Sequence, residues 1–248
     1  MSAPVAEIWK QTTVVDEYLS RRQAIPLARE QVELMLELLG SGELPVGSFL
    51  DLGCGDGILG AAVLERFPES RGVLLDFSAP MLEQARSLLS RFGDRLDYRL
   101  ADYAQPGWTR QLSSTAPFDA VVSGYSIHHQ PDSRKRSLYA EIYSLLKPGG
   151  WFINLEHVAP AAAVTTRLFE DRFIDHACAA EAGNSGGRTR AQIAEAFHQR
   201  PDKAANILAP VEVQCAWLRE LGFHEVDCFF KFHELAVFGG QRPVHPSY

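Results

Sequence analysis

A chain of 248 residues with 46% hydrophobic and 22% charged residues has an ordinary globular composition, long enough to bury a core without disulfide or metal. Its net charge of −7 argues against a general binder of phosphate backbones, and its apolar runs fall short of the roughly 18 residues of a membrane span. The cysteines Cys54, Cys178, Cys215 and Cys228 form no CxxC or CxxH pair, so neither a zinc knuckle nor a redox motif is expected. They read as free thiols of a reducing compartment. With acids at Glu7, Asp16 and Glu17 where a secretory signal would be apolar, the expected location is cytoplasmic.

Residues 1–46 read as two helices separated near Pro26, the second with a core-facing stripe of Val32, Met35, Leu36 and Leu39. Short apolar runs then alternate with helix-period segments. Strands are expected at Phe49–Leu52, Gly72–Asp76, Leu96–Ala101, Phe118–Ser123 and Trp151–Leu155. Helices are expected at Gly57–Phe67, Pro80–Phe92 and Ser133–Leu146, the last stopped by the turn signal Lys147-Pro148-Gly149-Gly150. Residues 160–209 look helical, with a break at Gly183–Gly187. A helix at Val211–Leu221 and β-rich runs at Glu225–Phe232 and Glu234–Phe238 follow. Strands alternating with helices imply parallel crossovers and a doubly wound α/β sheet.

The strongest local signal is Phe49-Leu50-Asp51-Leu52-Gly53-Cys54-Gly55-Asp56-Gly57. Glycines where a strand turns into a helix permit a tight turn and let a ligand approach the backbone. Two ligand classes compete, beside the plainer reading of a glycine turn that binds nothing. Gly55-Asp56-Gly57-Ile58-Leu59-Gly60 is a literal GxGxxG with Asp76 as the following acid, the fingerprint of a dinucleotide site. Against it, the glycine that directly follows the strand is Gly53, and Asp51 lies inside the strand. A carboxylate is unfavourable beside a pyrophosphate and favourable beside a sulfonium or ammonium. Charge therefore favours S-adenosylmethionine (SAM).

LDLGCGDG resembles the first motif of class I SAM-dependent methyltransferases, and further motifs follow in register. Leu74-Leu75-Asp76-Phe77-Ser78, then Met81 and Ala85, resembles the second, whose acid binds the ribose hydroxyls. Ala101-Asp102-Tyr103 resembles the third, whose Asp faces the adenine amino group. Phe118–Ser123 resembles the fourth, near the methionine end, and Leu145–Gly150 the segment before strand five. The resemblance implies a Rossmann-like, mostly parallel seven-stranded sheet with an antiparallel C-terminal hairpin, which Trp217–Phe223 and Phe229–Phe230 match. It implies a lid at 1–46, a SAM-binding core at 47–158, a helical insertion on the substrate side at 159–209 and a final helix and hairpin at 210–248. SAM contacts are implied for Asp51, Gly53, Cys54, Gly55, Asp76, Phe77, Met81, Ala101, Asp102, Tyr103 and Ser123, with S-adenosylhomocysteine (SAH) as product. Carboxy-SAM synthases share this layout. The chain departs from them before the core, at Pro26-Leu27-Ala28, and at Asp56-Gly57.

Methyl transfer is an in-line displacement in which holding donor and acceptor together supplies up to about 7–11 kcal/mol. A hydroxyl or ammonium acceptor also needs a base. Tyr125, His128 and His129 follow strand four, and Glu156 and His157 follow strand five, the edge where open α/β sheets bind ligands. His128 or His129 is the expected base, with Glu156 beside them; helix capping or solvation are the plainer roles for these histidines. No metal is expected. Arg188, Arg190 and Arg200 suit an anionic acceptor or a solvated helix face. Trp9 and Tyr18 suit a lid or core packing. The expected partner is a small-molecule acceptor, with neither membrane nor nucleic acid; oligomeric state is open, a homodimer included. An RNA-modifying enzyme, an NAD(P) oxidoreductase and a non-catalytic SAM-binding protein are the competing classes.

Overall fold

Side chains alternate along the first strand, β1 (Ser48–Leu52), and that alternation assigns the two faces of the sheet. Leu50 and Leu52 enter one buried cluster, while Phe49 enters the other. In the computed structural model, residues 25–42, 45–160, 162–181, 187–199, 203 and 205–244 are described. Trp9, Tyr18, Arg200 and most of the 183–187 break lie outside those residues.

Helix α1 (Ala28–Gly40) precedes β1. The chain then runs through α2 (Ile58–Arg66), β2 (Arg71–Asp76), α3 (Ala79–Leu88), β3 (Leu96–Leu100), β4 (Phe118–Gly124), α4 (Asp132–Leu145) and β5 (Leu146–His157). Helices α5 (Ala163–Glu181), α6 (Arg190–Gln199) and α7 (Val211–Glu220) lead to the hairpin β6 (His224–Phe232) and β7 (Leu235–Gln241). The sheet order is β3-β2-β1-β4-β5-β7-β6, parallel except where β7 pairs with β5 and β6. This is the doubly wound sheet that the strand–helix alternation predicts, with the seven strands and antiparallel C-terminal hairpin that the resemblance implies.

One face of the sheet is covered by α4 and α7 through Leu138, Ile142, Val211 and Leu218. The other is covered by α1, α2 and α3 through Met35, Leu39, Val63 and Leu82. Each such side chain, buried completely, contributes about 1.5–3 kcal/mol. Helices α5 and α6 share a smaller cluster of Ile174, Ile193 and Phe197. Among the described residues no helix is long and apolar enough to cross a membrane.

The two largest boundary differences from expectation are these. The helix predicted over Pro80–Phe92 ends at Leu88, and a 3-10 turn over Ser90–Arg95 follows. Leu89 leaves the helical path to pack where Gly57 lacks a side chain: a Cβ on Gly57 would meet Leu89 Cδ1 at 2.6 Å. Gly57 also has φ +80°, so both its backbone and its contacts exclude larger residues. The second difference is β5, which begins at Leu146 rather than Trp151. Gly149 N–H donates to the Arg242 carbonyl and Arg242 N–H to the Gly150 carbonyl, so the predicted turn is an irregular start to the strand. Asp119 ties this end together, accepting from Ser48 N at 2.7 Å and Lys147 Nζ at 2.9 Å.

Candidate functional site

A cleft of about 1000 Å³ opens at the C-terminal ends of the parallel strands, roofed by the first turns of α1. Its floor is the glycine loop. Gly53 has φ +68°, and a Cβ there would meet Ser126 Oγ at 1.9 Å, so the loop closes against the turn after β4 only with a glycine. Asp76 clasps the loop: Gly55 N–H donates to Oδ2 at 2.9 Å and Ser78 N–H to Oδ1 at 2.8 Å. Asp51 accepts from Gly60 N–H at 2.9 Å through Oδ2, while its buried Oδ1 finds no hydrogen-bond partner among the described residues. An orphaned carboxylate oxygen on the wall of a cleft implies a cationic or hydrogen-donating ligand.

The cleft is acidic: Asp51, Asp56, Asp76 and Asp102 all line it. Burial pushes the Asp51 carboxyl up to about 7; the Gly60 amide opposes that rise, and Asp76 and Asp56 add to it. Asp76 is pushed up to about 6 by burial, against the amides of Ser78, Gly55 and Phe77, with Asp102 adding to the rise. Burial, followed by the charges of Asp76, Asp51 and Asp56, holds the Cys54 thiol well above its ordinary value.

Of the residues expected to contact the cofactor, Asp51, Gly53, Cys54, Gly55, Asp76, Phe77, Met81, Ala101, Asp102 and Tyr103 all line the cleft. Ser123 does not: it is buried, and its hydroxyl donates to the Leu52 carbonyl at 2.7 Å. The strand's pleat turns Ser123 inward, and Gly124, Tyr125 and Ser126 form the wall in its place. Tyr103 is buried with its hydroxyl 2.6 Å from Ser126 Oγ and 2.9 Å from the Ser126 carbonyl. Tyr125 has φ +51°, a conformation that non-glycine residues rarely hold and that clusters at functional sites. Its N–H donates to the Leu155 carbonyl at 2.7 Å and its hydroxyl to Gln31 Oε1 at 2.6 Å, joining the roof to the wall. Gln31 gave no signal in the sequence, because it sits polar within the otherwise apolar face of α1.

The histidines divide. His129 lines the cleft, its Nδ1 3.2 Å from the Ala205 carbonyl. His128 and Glu156, both expected at the acceptor, are instead buried behind the wall. Glu156 Oε1 lies 2.5 Å from His128 Nδ1, and its Oε2 accepts from His128 N–H at 3.0 Å. His157 N–H donates to Glu156 Oε1 at 2.8 Å, and His157 Nε2 lies 2.8 Å from Glu234 Oε2. Burial pushes Glu156 up to about 7, while hydrogen bonds from the His157 amide and Asn154 and the charges of His129 and His157 pull it back. This carboxylate holds the turn after β4 in place. Among the described residues no three His, Cys, Asp or Glu side chains converge as a metal ion would require. Arg188 pairs with Glu181, and Arg190 with Asp171 and Asp175, all on the surface, the solvated helix face.

Residues 49–150 match the family described as methyltransferase domain. A carboxy-S-adenosyl-L-methionine synthase from Nautilia profundicola is 22% identical over 228 residues, 91% of this chain and 89% of that protein. The ubiquinone/menaquinone biosynthesis C-methyltransferase UbiE of Desulfotalea psychrophila is 31% identical over 121 residues, 49% of this chain and 46% of that one. An O-methyltransferase family protein from Burkholderia thailandensis shares the fold at a TM-score of 0.60 and 19% identity, over 85% of this chain and 56% of the other. The chain thus spans about half the length of the latter two.

The raised Asp51 sets a pH dependence. Its folded value lies above the ordinary 3.8, so it favours the folded state at low pH and costs stability as pH rises toward 7. Asp51→Asn is expected to stabilise the ligand-free protein at pH 8 by on the order of 3 kcal/mol in denaturant titrations. That gain should shrink as pH falls from 7 to 4. A variant no more stable than the parent at pH 8 would contradict the assignment.

Proposed function

We propose that this chain, whose residues 49–150 match the methyltransferase domain family, is a class I SAM-dependent methyltransferase that methylates a small-molecule acceptor carrying a proton on the reacting atom. The observation that carries this reading is the acidic cleft in which one oxygen of buried Asp51 has no partner and His129 forms part of the wall. SAM, when bound, supplies an electrophilic methyl group on a sulfonium.

Each part of the cleft has a task in this reading. Asp51 offers its orphaned oxygen to the ammonium of the methionine moiety, an interaction strengthened by burial. Asp76 keeps the glycine loop in shape and retains lone pairs for ribose hydroxyls. Asp102 stands at the adenine end. Tyr125 and Gln31, bonded to each other, hold α1 over the cleft and limit water. His129 is the base. A ring nitrogen 3.2 Å from a carbonyl oxygen must be its protonated one, so Nδ1 carries the hydrogen and Nε2 the lone pair that accepts the acceptor's proton. His128 and Glu156 fix the backbone from which His129 projects.

A second reading, a carboxy-SAM-synthase-like activity, rests on the 22% identity that extends over 91% of the chain. Mass spectrometry of the nucleoside released from purified protein separates the two, since this reading requires a carboxylated cofactor. The location is proposed to be the cytoplasm.

Two outcomes are expected. SAM at 100 times its Kd adds about 2.7 kcal/mol and should raise the melting midpoint by roughly 5–11 °C, an effect lost in Asp76→Ala and not produced by NADH. A shift with NADH alone would instead make Gly55–Gly60 a dinucleotide loop. With an acceptor found by screening with labelled SAM, His129→Ala should lower kcat by roughly 10²–10⁴-fold and leave SAM affinity unchanged. Undiminished turnover would remove His129 as base.

A further inference from the structure

The wall of the cleft beside His129 is built by a segment far away in sequence. Residues 205–209, the last stretch of the insertion before α7, cross the exit of β4 as a strap held almost wholly by backbone atoms. Ile207 N–H donates to the His128 carbonyl at 2.9 Å, and the Ala205 carbonyl accepts from His129 Nδ1 at 3.2 Å. The Ala209 carbonyl accepts from Ala159 N–H and from Gln214 Nε2, both at 3.0 Å. Lys135 completes the attachment. Its side chain is 1% exposed, and its ammonium donates to the Ile207 carbonyl and, at 2.8 Å, to Asp132 Oδ1. A buried ammonium is costly to leave without such partners, so these bonds keep the strap where it is.

With its backbone committed in this way, the strap sends one side chain, Ile207, to the cleft. Ile207 is 39% exposed, a large apolar group left open to solvent. Branching at Cβ restricts its rotamers, so it forms a stiff surface. Val32, Tyr125 and Leu155 also line the cleft and give it further apolar surface, while Arg29 on the α1 side is joined to Glu33 at 2.7 Å. An anionic acceptor would meet the acids of the cleft. A neutral, flat molecule with one hydroxyl would place its ring on the apolar surface and its proton toward His129.

We propose that Ile207 is the residue that selects the acceptor, and that it selects for neutral hydroxylated aromatic compounds of limited ring size. This inference rests on the methyl-transfer reading given above. The experiment uses the full chain saturated with SAH and titrates phenol and 2-naphthol calorimetrically into the parent, Ile207→Ala and Ile207→Trp. SAH affinity should stay within about twofold in all three, since Ile207 belongs to the insertion and not to the glycine loop. Ile207→Ala should improve 2-naphthol relative to phenol by about tenfold, and Ile207→Trp should weaken both by about tenfold. If SAH binds while phenol and 2-naphthol change by less than twofold in both variants, or bind to none of the three, the selection role is wrong. If SAH itself does not bind the parent, the methyl-transfer reading fails first.

Discussion

A carboxylate held in the interior with one oxygen unpaired is a costly arrangement, and Asp51 is held in that way. The pleat of β1 sends Leu50 and Leu52 into one core and leaves Asp51 on the opposite face, where the Gly60 amide meets it. Gly60 allows that approach, since a Cβ there would lie 3.2 Å from Asp51 Oδ2. The glycine loop, the clasp of Asp76 on Gly55 and the closure of Gly53 against Ser126 all surround this one acid. Taken by itself, this cluster of acids is electrostatically unsatisfied, which is the condition a cationic ligand relieves.

The far wall is built on a second buried carboxylate with a different task. Glu156 gathers N–H groups from His128 and His157 and thereby shapes the turn that carries His129 to the cleft. The strap at 205–209 then packs on that turn through the His128 carbonyl and Lys135. Two kinds of element therefore meet at the site. The strand ends, with a regular backbone and short loops, face the nucleoside side, and the last segment of the insertion, fixed by its own backbone hydrogen bonds, faces the acceptor side.

What was legible in the sequence follows from the range of the interactions involved. Asp51, the loop glycines and Asp76 lie within one strand–turn–helix–strand unit, so their spacing alone placed them together. The parallel crossovers were legible for the same reason, because each strand–helix alternation leaves a periodic pattern. The orientations of Ser123 and of His128 relative to His129 were not legible. They depend on a pleat and on a tight turn over Ile127–His129 that buries Ile127 and His128 and leaves His129 on the cleft. The Gln31–Tyr125 and His129–Ala205 contacts join residues 94 and 76 positions apart, and no local pattern announces such pairs. The early start of β5 was hidden because Pro148-Gly149-Gly150 reads as a turn until the partner, Arg242, is in place.

The measurement that bears most directly on the account is the proton balance of SAM binding, obtained by calorimetry at pH 6.5 in buffers of differing ionisation enthalpy. With burial pushing Asp51 up to about 7, much of it is protonated at that pH, and an arriving ammonium requires the charged form. The account predicts release of a large fraction of one proton per SAM bound, and its disappearance in Asp51→Asn. Binding with no proton release by the parent protein, or with the same release from the variant, would show that Asp51 is not the group that receives the cation.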